Sequence, residues 1–340
     1  MPIDFDVERT IFGKTELSVS RLGFGAAPVG FLDTPRSQIQ RVVDLLFDHG
    51  VNLFDTAACY PGSEEALGQA LAGKRDDVVL VSKCGNPMAG DDSAYTPEAI
   101  TADIDRSLQR LGTDHVDVML LHSCSLDVLR QGDALGALGA ARDAGKVRFL
   151  GYSGDNDAAA WAAERPEVSA IEMSVNLVDQ HNLDAVLPVA KKHDVGVIAK
   201  RPVANACWKD LESQPGMYRS YAKTYTQRFV AMGVSPSDLG YSGHVEVEWP
   251  EIALKFTLAH EGVHTAICGT TSTNHAEINL QAAGKNPLRD QAVLRLREAF
   301  KKARADGDLP TGLNDWNVRW VGEDGYQGIV ARQLQEFKKA

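Results

Sequence analysis

Eight short apolar runs recur along the chain, each ending in glycine or a polar residue, and this rhythm constrains the fold more than any other feature. They are RLGFG (21–25), VNLF (51–54), VVLVS (78–82), VDVMLL (116–121), VRFLG (147–151), VSAIEM (168–173), VGVIA (195–199) and HTAIC (264–268). Between them lie amphipathic segments of helical period. In SQIQRVVDLLFDHG (37–50), Ile39, Val42, Val43, Leu46 and Phe47 form one stripe that Gly50 closes. TPEAITADIDRSLQRLG (96–112) opens on Thr96 as an N-cap with Pro97 at the first helical position, and stops at Gly112. Strands that are continuously apolar, rather than alternating, suit a parallel sheet covered on both faces. Eight βα units predict an α/β fold of the (β/α)8 TIM-barrel type, with a doubly wound open sheet as the alternative.

Before the first run, RTIFGKTELSVS (9–20) reads as a hairpin around Gly13-Lys14, placed to plug the bottom of the barrel. Two regions break the rhythm. Residues 202–248 form a long loop after the seventh strand, and its aromatic residues Trp208, Tyr218, Tyr221, Tyr225 and Phe229 argue for order. Beyond the barrel comes a helical stretch (288–305) and a Gly/Asp-rich tail with Trp316 and Trp320. We read residues 1–340 as a single domain: hairpin 9–20, barrel 21–285 and C-terminal extension 286–340.

Composition narrows the function classes. The 340 residues carry a formal charge of −11, with no long run of one sign, which disfavours a nucleic-acid or anionic-membrane surface. No stretch approaches the roughly 18 apolar residues of a membrane span, and the acidic start MPIDFDVERT has no signal-like apolar region. Five cysteines (Cys59, Cys84, Cys124, Cys207, Cys268), without a C-x-x-C pair, predict reduced thiols, a cytoplasmic protein and no metal site.

In barrels of this type the active site lies at the C-terminal ends of the strands. The second run breaks off in LFDTAACYPG (53–62), placing Asp55 at the strand end and Tyr60 in the turn beyond. The third ends at Lys83 and the fourth at His122. Neighbouring strands lie about 5 Å apart, so acid, phenol, amine and imidazole can converge. A phenol with a free pKa near 10 would be made more acidic by the Lys83 ammonium, with Asp55 holding that ammonium in place. Tyr60 would then serve as a general acid toward a carbonyl oxygen receiving hydride, with His122 orienting that oxygen. Each residue also has a structural reading: Asp55 capping a turn, Lys83 solvated, His122 satisfied at a strand end, Tyr60 packing. Four such coincidences at one end of adjacent strands weaken that alternative.

The chain resembles the aldo-keto reductase superfamily over roughly residues 8–285. The resemblance rests on RTIFGKTELSVSRLGFG, FDTAACY with GSEEALGQAL, VSKCG, DVMLLHS, VRFLGYSG and GTTSTNHAEINL. It implies a (β/α)8 barrel that interconverts carbonyls (aldehyde, ketone or sugar-like) and alcohols with NADPH, or with NADH, on a tetrad of Asp55, Tyr60, Lys83 and His122. The expected partner is a small-molecule carbonyl substrate. Oligomeric state has no sequence signature here.

The resemblance also places a cofactor site, where the match frays. A Ser-Asn pair and a Gln that hold the nicotinamide carboxamide in the family correspond here to Ser153, Gly154 and Glu172. Glu172 can accept from an amide but not donate unless protonated; an ion pair with Lys200 is its structural reading. Lys200 stands where a stacking aromatic is expected, and Arg201 can reach the pyrophosphate. Gly269, Thr270, Thr271 and Ser272 open the last barrel helix as an anion site, with His275 nearby and Asn279 matching an adenine contact. Two other functions remain open on the residues: a nucleotide-binding regulatory or sensor barrel without turnover, and a Schiff-base aldolase using Lys83.

Overall fold

The structure, a computed structural model, describes residues 5–86, 92–214, 216–284 and 286–306. Each of the eight apolar runs is a strand. Numbering the hairpin strands β1 (Arg9–Ile11) and β2 (Ser18–Ser20), the barrel strands are β3 (Leu22–Gly25), β4 (Leu53–Asp55), β5 (Val79–Cys84), β6 (Val116–His122), β7 (Val147–Ser153), β8 (Val168–Ser174), β9 (Gly196–Lys200) and β10 (Thr265–Cys268). They run parallel and close in chain order, with β10 pairing β3. Helices between them cover the outside. In Arg36–Asp48 the buried positions are Ile39, Val42, Val43 and Leu46. Pro97–Leu111 is capped by the Thr96 side chain, which accepts from the Ala99 amide, and ends on Gly112 with φ 67°.

The hairpin strands are antiparallel and flank a short 3-10 turn, Gly13–Thr15. Phe12, fully buried, shares a cluster with Leu17 and Val19 of the hairpin and Leu53, Val79, Val118 and Ile198 of the barrel strands. The Lys14 amide donates to the Asp194 carbonyl at 2.7 Å. A Cβ on Gly13 would lie 2.6 Å from that same carbonyl oxygen, so the close approach there requires glycine. The hairpin thus fills the N-terminal mouth of the barrel. Phe12→Ala should cost about 3–5 kcal/mol, read as a lower denaturation midpoint with an unchanged m-value.

The segment after β9 is built around a helix, Gly216–Met232, between short 3-10 turns, and leads into the helix Val245–Leu258. Trp249 anchors it, stacked on Trp208 at 6.3 Å and edge-on to Phe229 at 4.9 Å. Tyr225 donates to Asp179 at 2.7 Å, tying the segment to the chain that follows β8. The extension helix is Asp290–Asp306. The side chains of Tyr218 and Tyr221, and the tail with Trp316 and Trp320, lie outside the described residues.

Candidate active site at the C-terminal mouth

Strand register explains how the polar residues meet. Asp55 pairs with Val81, two residues before Lys83; Lys83 pairs with Leu120, two before His122. His122 pairs with Ser153, and Ser153 with Glu172. A two-residue step keeps a side chain on the same face of a strand, and the stagger of a closed barrel supplies that step. All five therefore face inward at one level. Tyr60 arrives from the turn after β4, where the amides of Ala58 and Tyr60 donate to the Lys83 and Ala57 carbonyls at 3.1 and 3.0 Å. Gly62, with φ 65°, then starts the helix Ser63–Ala70.

At the centre, Lys83 Nζ donates to both Asp55 carboxylate oxygens, at 2.6 and 2.7 Å, and to the Thr56 carbonyl at 2.9 Å. Lys83 is 1% exposed and Asp55 2%, so this is a buried ion pair. Burial alone would lower the Lys83 pKa, but Asp55 and then Glu172 raise it above the ordinary amine value. The ammonium sits 5.5 Å from the Tyr60 ring centre. The Tyr60 and His122 rings meet edge-on at 5.9 Å, and the Phe31 and Tyr60 rings edge-on at 5.5 Å. His122 is buried; that burial first, then Lys83, Lys200 and Arg201, hold its pKa well below the usual imidazole value, so the ring is neutral at pH 7. Cys59 Sγ lies 3.4 Å from His122 Nδ1. Burial pushes the Cys59 thiol up to about 12, so the sulfur keeps its hydrogen at neutral pH. In the tautomer whose Nδ1 accepts from that thiol, Nε2 carries the hydrogen and is fit to donate to a carbonyl oxygen. Tyr95 fixes the same strand end by donating to the His122 backbone carbonyl at 2.7 Å.

Glu172 differs from the expected pairing with Lys200. Its ion-pair partner is Lys83, at 3.2 Å, and it accepts from the Ser153 hydroxyl at 3.1 Å. Lys200 instead pairs with Asp155, at 3.6 Å. Asp155 also accepts from the Ser174 amide and the Asn182 side chain, at 2.6 and 2.8 Å. The cause is register. Lys200 is paired with Ser174, two residues beyond Glu172, which brings it level with the acid that follows β7.

The residues expected to hold the cofactor are dispersed around this mouth. Ser153 and Glu172 put a hydroxyl beside a carboxylate, the donor and acceptor chemistry that a carboxamide's carbonyl and NH₂ require, so these residues fit the nicotinamide group. Gly154 has a local reason to lack a side chain: a Cβ there would lie 2.3 Å from the Tyr152 hydroxyl oxygen. Tyr152 in turn donates to the Cys124 carbonyl at 2.8 Å. Gly154→Ala should therefore cost about 1–3 kcal/mol by overpacking, measurable by urea denaturation. Arg201 adopts a left-handed φ of 56° and donates to the Ser174 hydroxyl at 2.7 Å, so its backbone is strained where it turns off β9.

After β10 the helix is Thr273–Gly284. The Ser272 amide donates to Thr270 Oγ1 at 3.0 Å, and the His275 amide to Ser272 Oγ at 3.4 Å. Gln38 donates to the Thr271 carbonyl at 2.6 Å, and Gly269 packs against Gly25 and Pro28 too tightly for a Cβ. Asn279 is buried on the same helix. Two contributors escaped sequence reasoning. Phe31 belongs to the segment after β3, which ends without a titratable residue. Lys209 lies close enough to His275 to reinforce the effect of burial in holding that imidazole low, although it sits in the segment after β9.

Residues 21–301 match the model of the aldo/keto reductase family. The chain is 28% identical over 324 residues to L-galactose dehydrogenase of Arabidopsis thaliana, covering 91% of this chain and 98% of that protein. It is 28% identical over 319 residues to NADH-specific methylglyoxal reductase of Escherichia coli K12, covering 84% and 96%. Among solved structures it resembles the holo form of aldo-keto reductase AKR11C1 from Bacillus halodurans, with a TM-score of 0.70 at 26% identity, over 86% of this chain and 96% of that one. The chain belongs to the aldo/keto reductase family and is an NAD(P)-dependent oxidoreductase.

Proposed function

We propose that the protein reduces the carbonyl of an aldehyde, ketone or sugar-like substrate to the alcohol, with Tyr60 delivering the proton. The observation that carries this reading is the buried Asp55–Lys83 pair, at 2.6 Å, with its ammonium 5.5 Å from the Tyr60 ring. When bound, the nicotinamide supplies hydride. The chain's own residues do the rest. Lys83, held in place by Asp55, favours the charge that develops on the Tyr60 oxygen as its proton leaves. Neutral His122 donates through Nε2 to the carbonyl oxygen and orients it. Phe31 and the His122 ring each pack edge-on against the phenol ring. The test is steady-state reduction across short aldehydes, ketones and aldoses with each reduced nucleotide. Failure to turn over any of them while binding nucleotide would favour the regulatory reading. An imine-forming Lys83 is disfavoured, because Asp55 and Glu172 raise its pKa above the ordinary amine value and a nucleophilic amine must lose its proton.

On the nucleotide, we propose weak discrimination. Residues 269–279 contain no Lys or Arg, and His275 is held low by burial and by Lys209. Neutral donors and a helix N-terminus, worth roughly 0.3–1 kcal/mol, then face a 2′-phosphate, with Lys209 a cation close enough to act on His275. The NADH preference in the name of the Escherichia coli relative fits the same trend. NADPH should be favoured over NADH by less than about a hundredfold in kcat/KM, or NADH favoured outright; a hundredfold is about 2.7 kcal/mol, near the upper range for one charge-assisted contact. A thousandfold preference for NADPH would contradict this.

A further inference from the structure

Four oxygens surround Lys83 Nζ within 3.2 Å: both of Asp55, the Thr56 carbonyl and Glu172 Oε2. An ammonium has three hydrogens, and the first three oxygens take them. Glu172 Oε2 is buried and has no aligned hydrogen bond among the described residues. Glu172 is 3% exposed, so solvent does not supply one. Two carboxylates on one buried ammonium leave the cluster one hydrogen short, which is costly away from water.

We propose that Glu172 is a positioning residue of this site, clamping Lys83 together with Asp55 while the two carboxyl groups share a single proton. Three ammonium hydrogens and one carboxyl hydrogen then serve four oxygens, and the hydrogen count closes. The titratable and charged groups facing the cluster come from every side: Asp55, Lys83 and His122 on β4, β5 and β6; Lys200 and Arg201 at the end of β9; Asp155 after β7; Cys59 and Tyr60 after β4. Among them, burial first and Glu172 second hold Asp55 well above the ordinary carboxylate range. Burial would also raise Glu172, but Lys83 and Lys200 together bring it below its ordinary value.

This inference deepens the carbonyl-reductase reading, yet its main readout needs no turnover. Infrared difference spectra of the full chain at neutral pH, wild type minus Glu172→Gln, should show a protonated-carboxyl band that the variant lacks. The glutamine NH₂ can supply the missing hydrogen itself, so Asp55 no longer needs the proton. Asp55→Asn should lose the same band, which keeps the test open if one variant folds poorly. The wild-type band should bleach only above the usual carboxylate range. In kcat/KM against pH, Glu172→Gln should lose the wild-type ionisation that coincides with this bleaching. Absence of the band from wild type, its persistence in both variants, or an unchanged pH profile in Glu172→Gln would overturn the proposal. If no substrate turns over, the carbonyl-reductase reading fails while the infrared result still decides this one.

Discussion

Tyr60→Phe is expected to lower kcat/KM for aldehyde reduction by about 10²–10⁴-fold, the span usual for loss of a general acid. The ring keeps its edge-on contacts with Phe31 and His122, so packing around it should survive. Nucleotide affinity, measured by quenching of protein fluorescence, should stay within a few-fold, because the residues proposed to hold the cofactor lie on β7 to β10 and the chain beyond them. Loss of activity with retained binding separates proton delivery from a collapsed site. A variant keeping more than half of the wild-type rate would remove Tyr60 from the role.

Lys83→Met should be damaging in two ways at once. It leaves Asp55 and Glu172 facing each other without their cation; removing one partner of a buried ion pair typically costs about 3–5 kcal/mol. Proton uptake by the carboxylates should soften that loss as pH falls. The sign follows from linkage. With its cation gone, the carboxyl pair in the folded state should bind protons more tightly than the unfolded chain does. Stability of the variant relative to wild type should then recover toward acid pH and decline as pH rises through the range where those protons leave. Catalysis should also fall by two orders of magnitude or more, with the alkaline limb of the pH–rate profile displaced or abolished. Denaturation at two pH values and a rate profile check both halves. An unmoved limb at near-normal rate would show that Lys83 does not act on Tyr60.

The barrel was legible because parallel strands covered on both faces are written as continuous apolar runs, and helices as stripes. The ends were less so. Asp55, Lys83, His122, Ser153 and Lys200 all belong to their strands, whereas the apolar runs stop one or two residues earlier. At this mouth the inner face turns polar, so hydropathy underestimates strand length there. Asp55, Lys83 and His122 could be named because each directly follows an apolar run, and Tyr60 because it lies in the turn just beyond Asp55. The partner of Glu172 could not, since it depends on the stagger between β5, β8 and β9, which no single strand's sequence encodes. The helix Gly216–Met232 was hidden for another reason: GMYRSYAKTYTQRFVAM mixes aromatic and cationic residues without the aliphatic stripe of Arg36–Asp48. Lys209 is a similar case, reaching the start of the last barrel helix from a segment that chain order puts far away.

The central claim is that this mouth carries out hydride addition to a carbonyl, with Tyr60 closing the reaction by protonating the oxygen. The most direct measurement uses reduced nucleotide deuterated at both C4 positions of its nicotinamide ring, with one aldehyde, for wild type and Tyr60→Phe side by side. The account predicts a wild-type alcohol carrying deuterium on the former carbonyl carbon, one equivalent per nucleotide oxidised, and at most about one-hundredth of that rate from Tyr60→Phe. Nucleotide oxidised without labelled alcohol, or equal rates of labelled product from both proteins, would contradict it.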